Sequence, residues 1–210
     1  MEKSKQEINR FEKAFSLSRD LIVAYKELGI KAPFSLRGNL GEFIVAIELH
    51  RQFKGHKISY KGGSSPIYDV EIDGKTIQVK TQFKHPPKKG RGWEYDFEAC
   101  PTIKKHIISD RKVDFIILVL LYLNEDYSQI LKKNIYVFDQ DDFGMFNTRF
   151  CWSGRSKGDY TIMNISYVKG NLPPKTREII DYYNTPEYKR LFKNAKNNWD
   201  KIKAKLETAK

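Results

Sequence analysis

The stretch DVEIDGKTIQVK, residues 69–80, places an acid, an amide and an amine where short strands would bring them together. Asp73-Gly74 is a two-residue turn signal, because a type I′ turn needs positive φ at both central positions and this pair tolerates it. Such a loop sets Ile72 opposite Lys75, Glu71 opposite Thr76, Val70 opposite Ile77 and Asp69 opposite Gln78. Side chains alternate along a strand, so Val70, Ile72, Ile77 and Val79 share one face, while Asp69, Glu71, Thr76, Gln78 and Lys80 share the other. Asp69, Gln78 and Lys80 are then expected to converge on one small volume.

A carboxylate and an amide carbonyl are hard oxygen donors suited to Mg²⁺, which keeps several waters, binds phosphate and acidifies an attacking water. A lysine beside them can orient or deprotonate that water and offset the charge that develops on phosphorus. These are the needs of metal-assisted phosphodiester hydrolysis. One carboxylate alone holds Mg²⁺ weakly, and Glu42, in the first turn of a predicted helix, is the best placed second one. Glu71 reads as a solvated or supporting charge. The bland alternative for the whole row is the wet face of an amphipathic hairpin.

The elements that must carry these residues follow from periodicity. Ile8, Phe11, Phe15, Ile22, Tyr25 and Leu28 recur at helical spacing and stop at Gly29, which predicts a first helix over residues 4–28. A second is predicted from Leu40 to Phe53, opened by the turn GNLG. From Lys57 the period becomes two, in KISY, PIYDVEID and KTIQVKTQ, and Trp93, Tyr95 and Phe97 alternate with acids in a further strand. Residues 114–123, DFIILVLLYL, are apolar on both faces and predict the central strand of a covered sheet. Asn134 to Phe138 and Tyr160 to Ser166 supply two more strands. After Pro173-Pro174 the chain turns helical, with Thr185 as N-cap and Pro186 at the first helical position. Tyr188, Phe192, Ala195, Trp199, Ile202 and Leu206 form an apolar seam along one last helix, which packs on its own domain or joins two subunits. The expectation is a single α/β domain over residues 1–210: an N-terminal helix within 1–30, a core of mixed sheet flanked by helices over 38–170, and C-terminal helices over 173–210.

Charge narrows the partner. Lys and Arg outnumber Asp and Glu by 38 to 26, giving a net charge of +12, which favours a polyanion such as nucleic acid, although a merely basic protein would look the same. Lys84, Lys88, Lys89 and Arg91 in KHPPKKGRGW read as a basic loop following the Gln78–Lys80 strand and suited to phosphate contacts. Arg155 and Lys157, with Arg149, form a second basic loop around Trp152, which either stacks on a base or packs in the core. Cys100 and Cys151 have no metal-ligand or disulfide-framework spacing, and His50, His56, His85 and His106 have no His-metal spacing; a reducing cytoplasm is expected. No Walker loop or serine-nucleophile elbow is present. The charged start has no apolar signal core, and the longest apolar run, Phe115 to Leu123, is about half of what a membrane span needs, so no membrane partner is expected.

Glu42 in GNLGEFIVAIEL, Asp69 in PIYDVEI, and Gln78-Val79-Lys80 in TIQVKTQ together resemble the PD-(D/E)xK nuclease superfamily, which includes restriction endonucleases and Holliday-junction resolvases. The resemblance spans Leu40 to Gln82, about a fifth of the chain. Tyr68 stands where that family often has proline, and Gln78 replaces its second acid, a pattern similar to the Q-x-K variant of Mrr-type nucleases, as is the Gly-Gly turn in KGGSSPIYD. The resemblance implies a restriction-endonuclease-like fold with Asp69, Glu42 and Gln78 around Mg²⁺ and Lys80 beside the attacking water. It implies an endonuclease acting on double-stranded DNA, foremost a type II restriction enzyme. Since one site cuts one strand, a homodimer is the simplest route to a double-strand break. A junction resolvase or repair nuclease, and a non-catalytic nucleic-acid-binding protein with the same fold, are the alternatives.

Overall fold

The computed structural model describes residues 2–30, 32–62, 67–84, 88–90, 93–99, 113–124, 129–146, 164–171 and 174–208. Two helices open the chain, α1 (Glu2–Glu27) and α2 (Phe34–Gln52). Helix α1 ends as Gly29 predicts: its φ is +68°, and the Ile30 N–H reaches back to the Tyr25 carbonyl at 2.8 Å, closing the last turn. Ile22 is buried and Phe15 and Tyr25 pack against the core, but Leu28, expected on that face, is 73% exposed.

Helix α2 begins at Phe34, six residues before the predicted start, so Glu42 lies mid-helix and not in the first turn. Gly38 and Gly41, taken for a turn, are inside the helix. They serve contact. A Cβ at Gly41 would overlap the Thr81 side chain, lying 2.9 Å from its Cβ and 3.0 Å from its Cγ2, so only glycine lets α2 settle this close to the sheet. The Thr81 hydroxyl donates to the Gly38 carbonyl at 3.1 Å, across the same contact.

Strands β1 (Ile58–Tyr60), β2 (Val70–Ile72), β3 (Lys75–Lys84), β6 (Phe115–Leu123) and β7 (Ile130–Asp139) form a five-stranded sheet in the order β1-β2-β3-β6-β7. Only the β3-β6 pair is parallel, so the sheet is mixed, as the element order predicts. Residue 115 to residue 121 of β6 are all fully buried. Phe115, Ile117, Val119 and Leu121 pack on the α2 side with Leu40, Ile44, Val45 and Leu49, while Ile116, Leu118 and Leu120 face a second cluster. The expectation of a central strand covered on both faces holds.

Strands β4 (Lys88–Gly90), β5 (Trp93–Ala99) and β8 (Asn164–Gly170) make a separate antiparallel three-stranded sheet. Lys88 and Lys89 therefore belong to a strand and not to the basic loop expected from the sequence. The last strand is described from Asn164 to Gly170, and residues 160–163 of the predicted strand lie outside the described residues.

The C-terminal part corrects the single-helix expectation. A short helix α3 (Gln140–Phe143) precedes α4 (Pro174–Tyr183), α5 (Pro186–Ala195) and α6 (Asp200–Glu207). Thr185 caps α5, accepting from the Tyr188 N–H at 3.3 Å, and Pro186 opens it. The predicted long seam breaks at residues 196–199, where Asn197 takes a φ of +51° and its N–H binds the Ile135 carbonyl at 2.9 Å. That bond to the edge strand β7 turns the chain over the sheet edge. Tyr188, Phe192 and Ala195 then pack on one side of the sheet, and Ile202 and Leu206, with Trp199, on the other. The seam is spent within the chain.

No helix among the described residues is long and apolar enough to cross a membrane.

Candidate active site

The hairpin folds in the register read from the sequence: Ile72 pairs with Lys75, Glu71 with Thr76 and Val70 with Ile77. Asp73 and Gly74 take φ values of +46° and +81°, the positive pair that a type I′ turn requires. Val70, Ile72, Ile77 and Val79 are buried against α2. The ladder ends at Val70, and the Asp69 N–H donates to the Ile77 carbonyl at 3.0 Å, one position off the register that would set Asp69 opposite Gln78. The side chain nevertheless reaches Gln78.

Strand β2 covers only Lys75 to Ile77 of the ten-residue β3, so the edge of β3 is left by β2 from Gln78 onward. The Asp69 carboxylate occupies that edge. Its Oδ2 accepts the Val79 backbone N–H at 2.7 Å and the Gln78 side-chain amide, so it stands in the plane of the sheet like a missing strand partner. Both bonds go to Oδ2, so Oδ1 is the carboxylate oxygen left to face a cation. The Asp69 backbone is fixed from behind, since the Lys61 and Gly62 N–H groups donate to its carbonyl at 2.8 and 3.2 Å. Gly62 has a φ of +52°, and a Cβ there would meet the Tyr60 hydroxyl at 2.9 Å. Glycine at position 62 is what permits this close approach.

At an open strand edge, groups from both faces of a sheet can approach one volume. Glu42 comes from α2, over the Val79 face, and Lys80 follows Val79 on β3. Burial pushes the Asp69 carboxyl up to about 6; the nearby Glu42 charge adds to the rise, and the Val79 N–H and the Lys80 cation oppose it. Glu42 is raised as well, by burial first, with the Tyr60 hydrogen bond and Lys80 opposing. Glu42, Asp69 and Lys80 thus sense one another electrostatically, and Gln78 is hydrogen-bonded to Asp69.

A residue that the sequence did not single out completes the arrangement. Tyr60, at the end of β1, donates from its hydroxyl to Glu42 Oε2 at 2.9 Å. Burial, and then Glu42, hold the phenol far above its ordinary range, so it remains a donor. Its position opposite Val70 puts it on the α2 side of the sheet, a signal readable only once the strand register was known. Glu71 accepts from the Tyr68 hydroxyl at 2.8 Å, which fits the supporting role expected of it.

Among the described residues no group of three His, Cys, Asp or Glu side chains could hold a metal ion by itself. What is present is two desolvated carboxylates, Glu42 adding to the cost of ionising Asp69, with an amide beside them. That donor set suits Mg²⁺, which takes hard oxygens from one or two carboxylates and keeps its remaining waters. The Gln78 nitrogen is committed to Asp69, and its carbonyl oxygen is the atom left for a cation.

The basic residues are less fully placed. Lys84 ends β3, four residues beyond Lys80, or roughly 13 Å along the strand. Lys88 and Lys89 are in β4. Arg91, Arg149, Trp152, Arg155 and Lys157, together with Cys100 and Cys151, lie outside the described residues. His50 is buried, and His56 binds Asp73 Oδ2 through Nδ1 at 2.7 Å. Comparison of the chain with family models, curated proteins and solved structures gave no match.

Proposed function

We propose that this protein is a Mg²⁺-dependent endodeoxyribonuclease with a restriction-endonuclease-like fold, foremost a type II restriction enzyme that cuts double-stranded DNA as a homodimer. The observation that supports it is that Glu42, Asp69 and Lys80 act on one another's charge beside the edge of β3 that β2 leaves, with Gln78 bonded to Asp69. A solvated hairpin face would leave these carboxylates at ordinary acidity; here burial raises both, and the Glu42 charge adds to the rise at Asp69.

In this proposal Asp69 and Glu42 hold the cation through the oxygens not taken by Val79, Gln78 and Tyr60. When bound, Mg²⁺ supplies charge neutralisation at the phosphate and acidifies the attacking water. Lys80 orients that water and offsets negative charge as the new phosphorus–oxygen bond forms and the bond to the leaving oxygen breaks. Gln78 keeps Asp69 aimed without adding a third negative charge. The +12 net charge draws in the DNA backbone.

The test is Lys80→Ala, incubated with supercoiled plasmid and Mg²⁺. Cleavage is expected to fall by at least about a hundredfold while salt-sensitive DNA binding survives. Unchanged cleavage in that variant would refute the site. Discrete bands from wild-type digestion support sequence-specific cutting, whereas cleavage confined to branched DNA would point to a junction resolvase.

A further inference from the structure

We infer that Tyr60 is a positioning residue for Glu42, and that through it β1 and α1 set the strength of the metal site. The inference rests on the nuclease reading and adds a residue to it.

The case is geometric. Glu42 sits on a helix, the Asp69 carboxylate on a strand edge, and nothing in the backbone hydrogen bonding of either element fixes the Glu42 carboxylate. A glutamate has three rotatable bonds and loses that freedom when it ligates a cation. The Tyr60 hydroxyl takes Oε2 at 2.9 Å, which leaves Oε1 as the ligand atom and selects one orientation before any ion arrives. Oε1 itself lies on the Gly38 side of the helix, 3.8 Å from where a Cβ there would stand, an ordinary contact distance.

Tyr60 is in turn held on several sides. The Phe11 ring of α1 meets it edge-on, with centroids 5.5 Å apart, and the Phe43 ring of α2 lies at 5.7 Å. Gly62 passes so close that a methyl group there would touch the hydroxyl. Its remaining side opens on a cavity of about 700 Å³, also lined by Phe11, His50 and Ser59. A tyrosine packed only for its ring would not need to aim its hydroxyl at a desolvated carboxylate. Outer partners of metal ligands act this way generally: their loss weakens metal affinity by about 10- to 100-fold without removing the site.

The experiment is a Mg²⁺ titration read by thermal unfolding in the absence of DNA, on wild type, Tyr60→Phe and Glu42→Gln, paired with cleavage assays over the same Mg²⁺ range. Tyr60→Phe keeps the ring and its packing. It is expected to shift the Mg²⁺ midpoint upward by about tenfold or more, with cleavage restored at high Mg²⁺, while Glu42→Gln loses the Mg²⁺ response altogether. Phe11→Leu, which loosens the seat and keeps the hydroxyl, is expected to shift the midpoint by about threefold, the weight of one aromatic contact. An unchanged midpoint in Tyr60→Phe, alongside a lost response in Glu42→Gln, overturns the positioning role and leaves the nuclease reading standing. A wild-type protein whose unfolding ignores Mg²⁺ sinks the metal site and this inference with it.

Discussion

The Asp69 carboxylate accepts the Val79 backbone N–H at 2.7 Å, filling the strand edge where β2 stops. A side chain held by a main-chain donor cannot drift as a surface acid does, and its charge is kept in a largely buried place. Only 9% of Asp69 is exposed. The arrangement is costly for an isolated fold and useful for one that takes up a cation.

That cost is visible in the pH dependence of stability. Asp69 ionises at about 6 in the folded chain against an ordinary value of 3.8, because burial and Glu42 oppose its charge. Between those values the folded protein keeps a proton that the unfolded chain has released, so this group's contribution to stability is full below about pH 4 and is lost as pH rises through 6. At 1.36 kcal/mol for each pKa unit, the loss is on the order of 3 kcal/mol. Wild type minus Asp69→Asn, measured by urea unfolding from pH 4 to 8, isolates the effect. Mg²⁺ at pH 8 is expected to restore the wild-type loss and to do nothing for the asparagine variant.

Gln78→Glu tests why an amide stands in the hairpin. The Gln78 nitrogen donates to Asp69 Oδ2, and a carboxylate in its place would turn a hydrogen bond into a repulsion between buried acids. At pH 8 without metal the variant is expected to lose about 2 kcal/mol relative to wild type. Acid or Mg²⁺ should recover most of it, since either one removes the repulsion. Equal stability at pH 8 would mean that Gln78 is not oriented on Asp69.

Gly41→Ala should be damaging out of proportion to its size. The added carbon overlaps Thr81, and neither a helix backbone nor a strand can move away freely, so a loss of about 1–3 kcal/mol is expected. Thr81→Ser removes the Cγ2 and leaves the oxygen; Thr81→Ala removes both. Rescue should therefore be partial with serine and larger with alanine, as a double-mutant cycle by chemical unfolding would report.

Much of this was legible in the sequence because it depended on local rules. The Asp73-Gly74 turn fixes the hairpin register, and the doubly apolar run at Phe115 to Leu121 fixes the covered central strand. The glycines of GNLG misled because both lie inside α2, and the reason for Gly41 is tertiary: it lets Thr81 approach, which no local propensity records. The seam from Tyr188 to Leu206 kept its helical spacing across a break, since Asn197 leaves the helix for a bond to β7 and the period resumes afterwards. Tyr60 was invisible for a related reason. Its partner Glu42 is 18 residues away, on another element.

The C-terminal wrap offers the last test. Lys201 of α6 binds Asp142 of α3 and lies 3.6 Å from Asp139, which caps that short helix; Lys201 is 17% exposed and the two acids 11% and 14%. Burial raises the Asp142 carboxyl, and the Lys201 bond works against that rise. Replacing the lysine by methionine keeps most of the stem's packing but leaves two acids facing each other without a cation, at a cost of roughly 3 kcal/mol. With the cation gone the Asp142 carboxyl should rise further. Its folded-state value then exceeds the unfolded one by more, so the variant's deficit grows as pH rises and shrinks in acid, where Asp142 takes a proton. Urea unfolding of wild type and Lys201→Met at pH 5 and pH 8 measures this directly. A deficit of the same size at both pH values would show that α6 is held by the lysine stem and the apolar contacts of Ile202 and Leu206, and not by the charge.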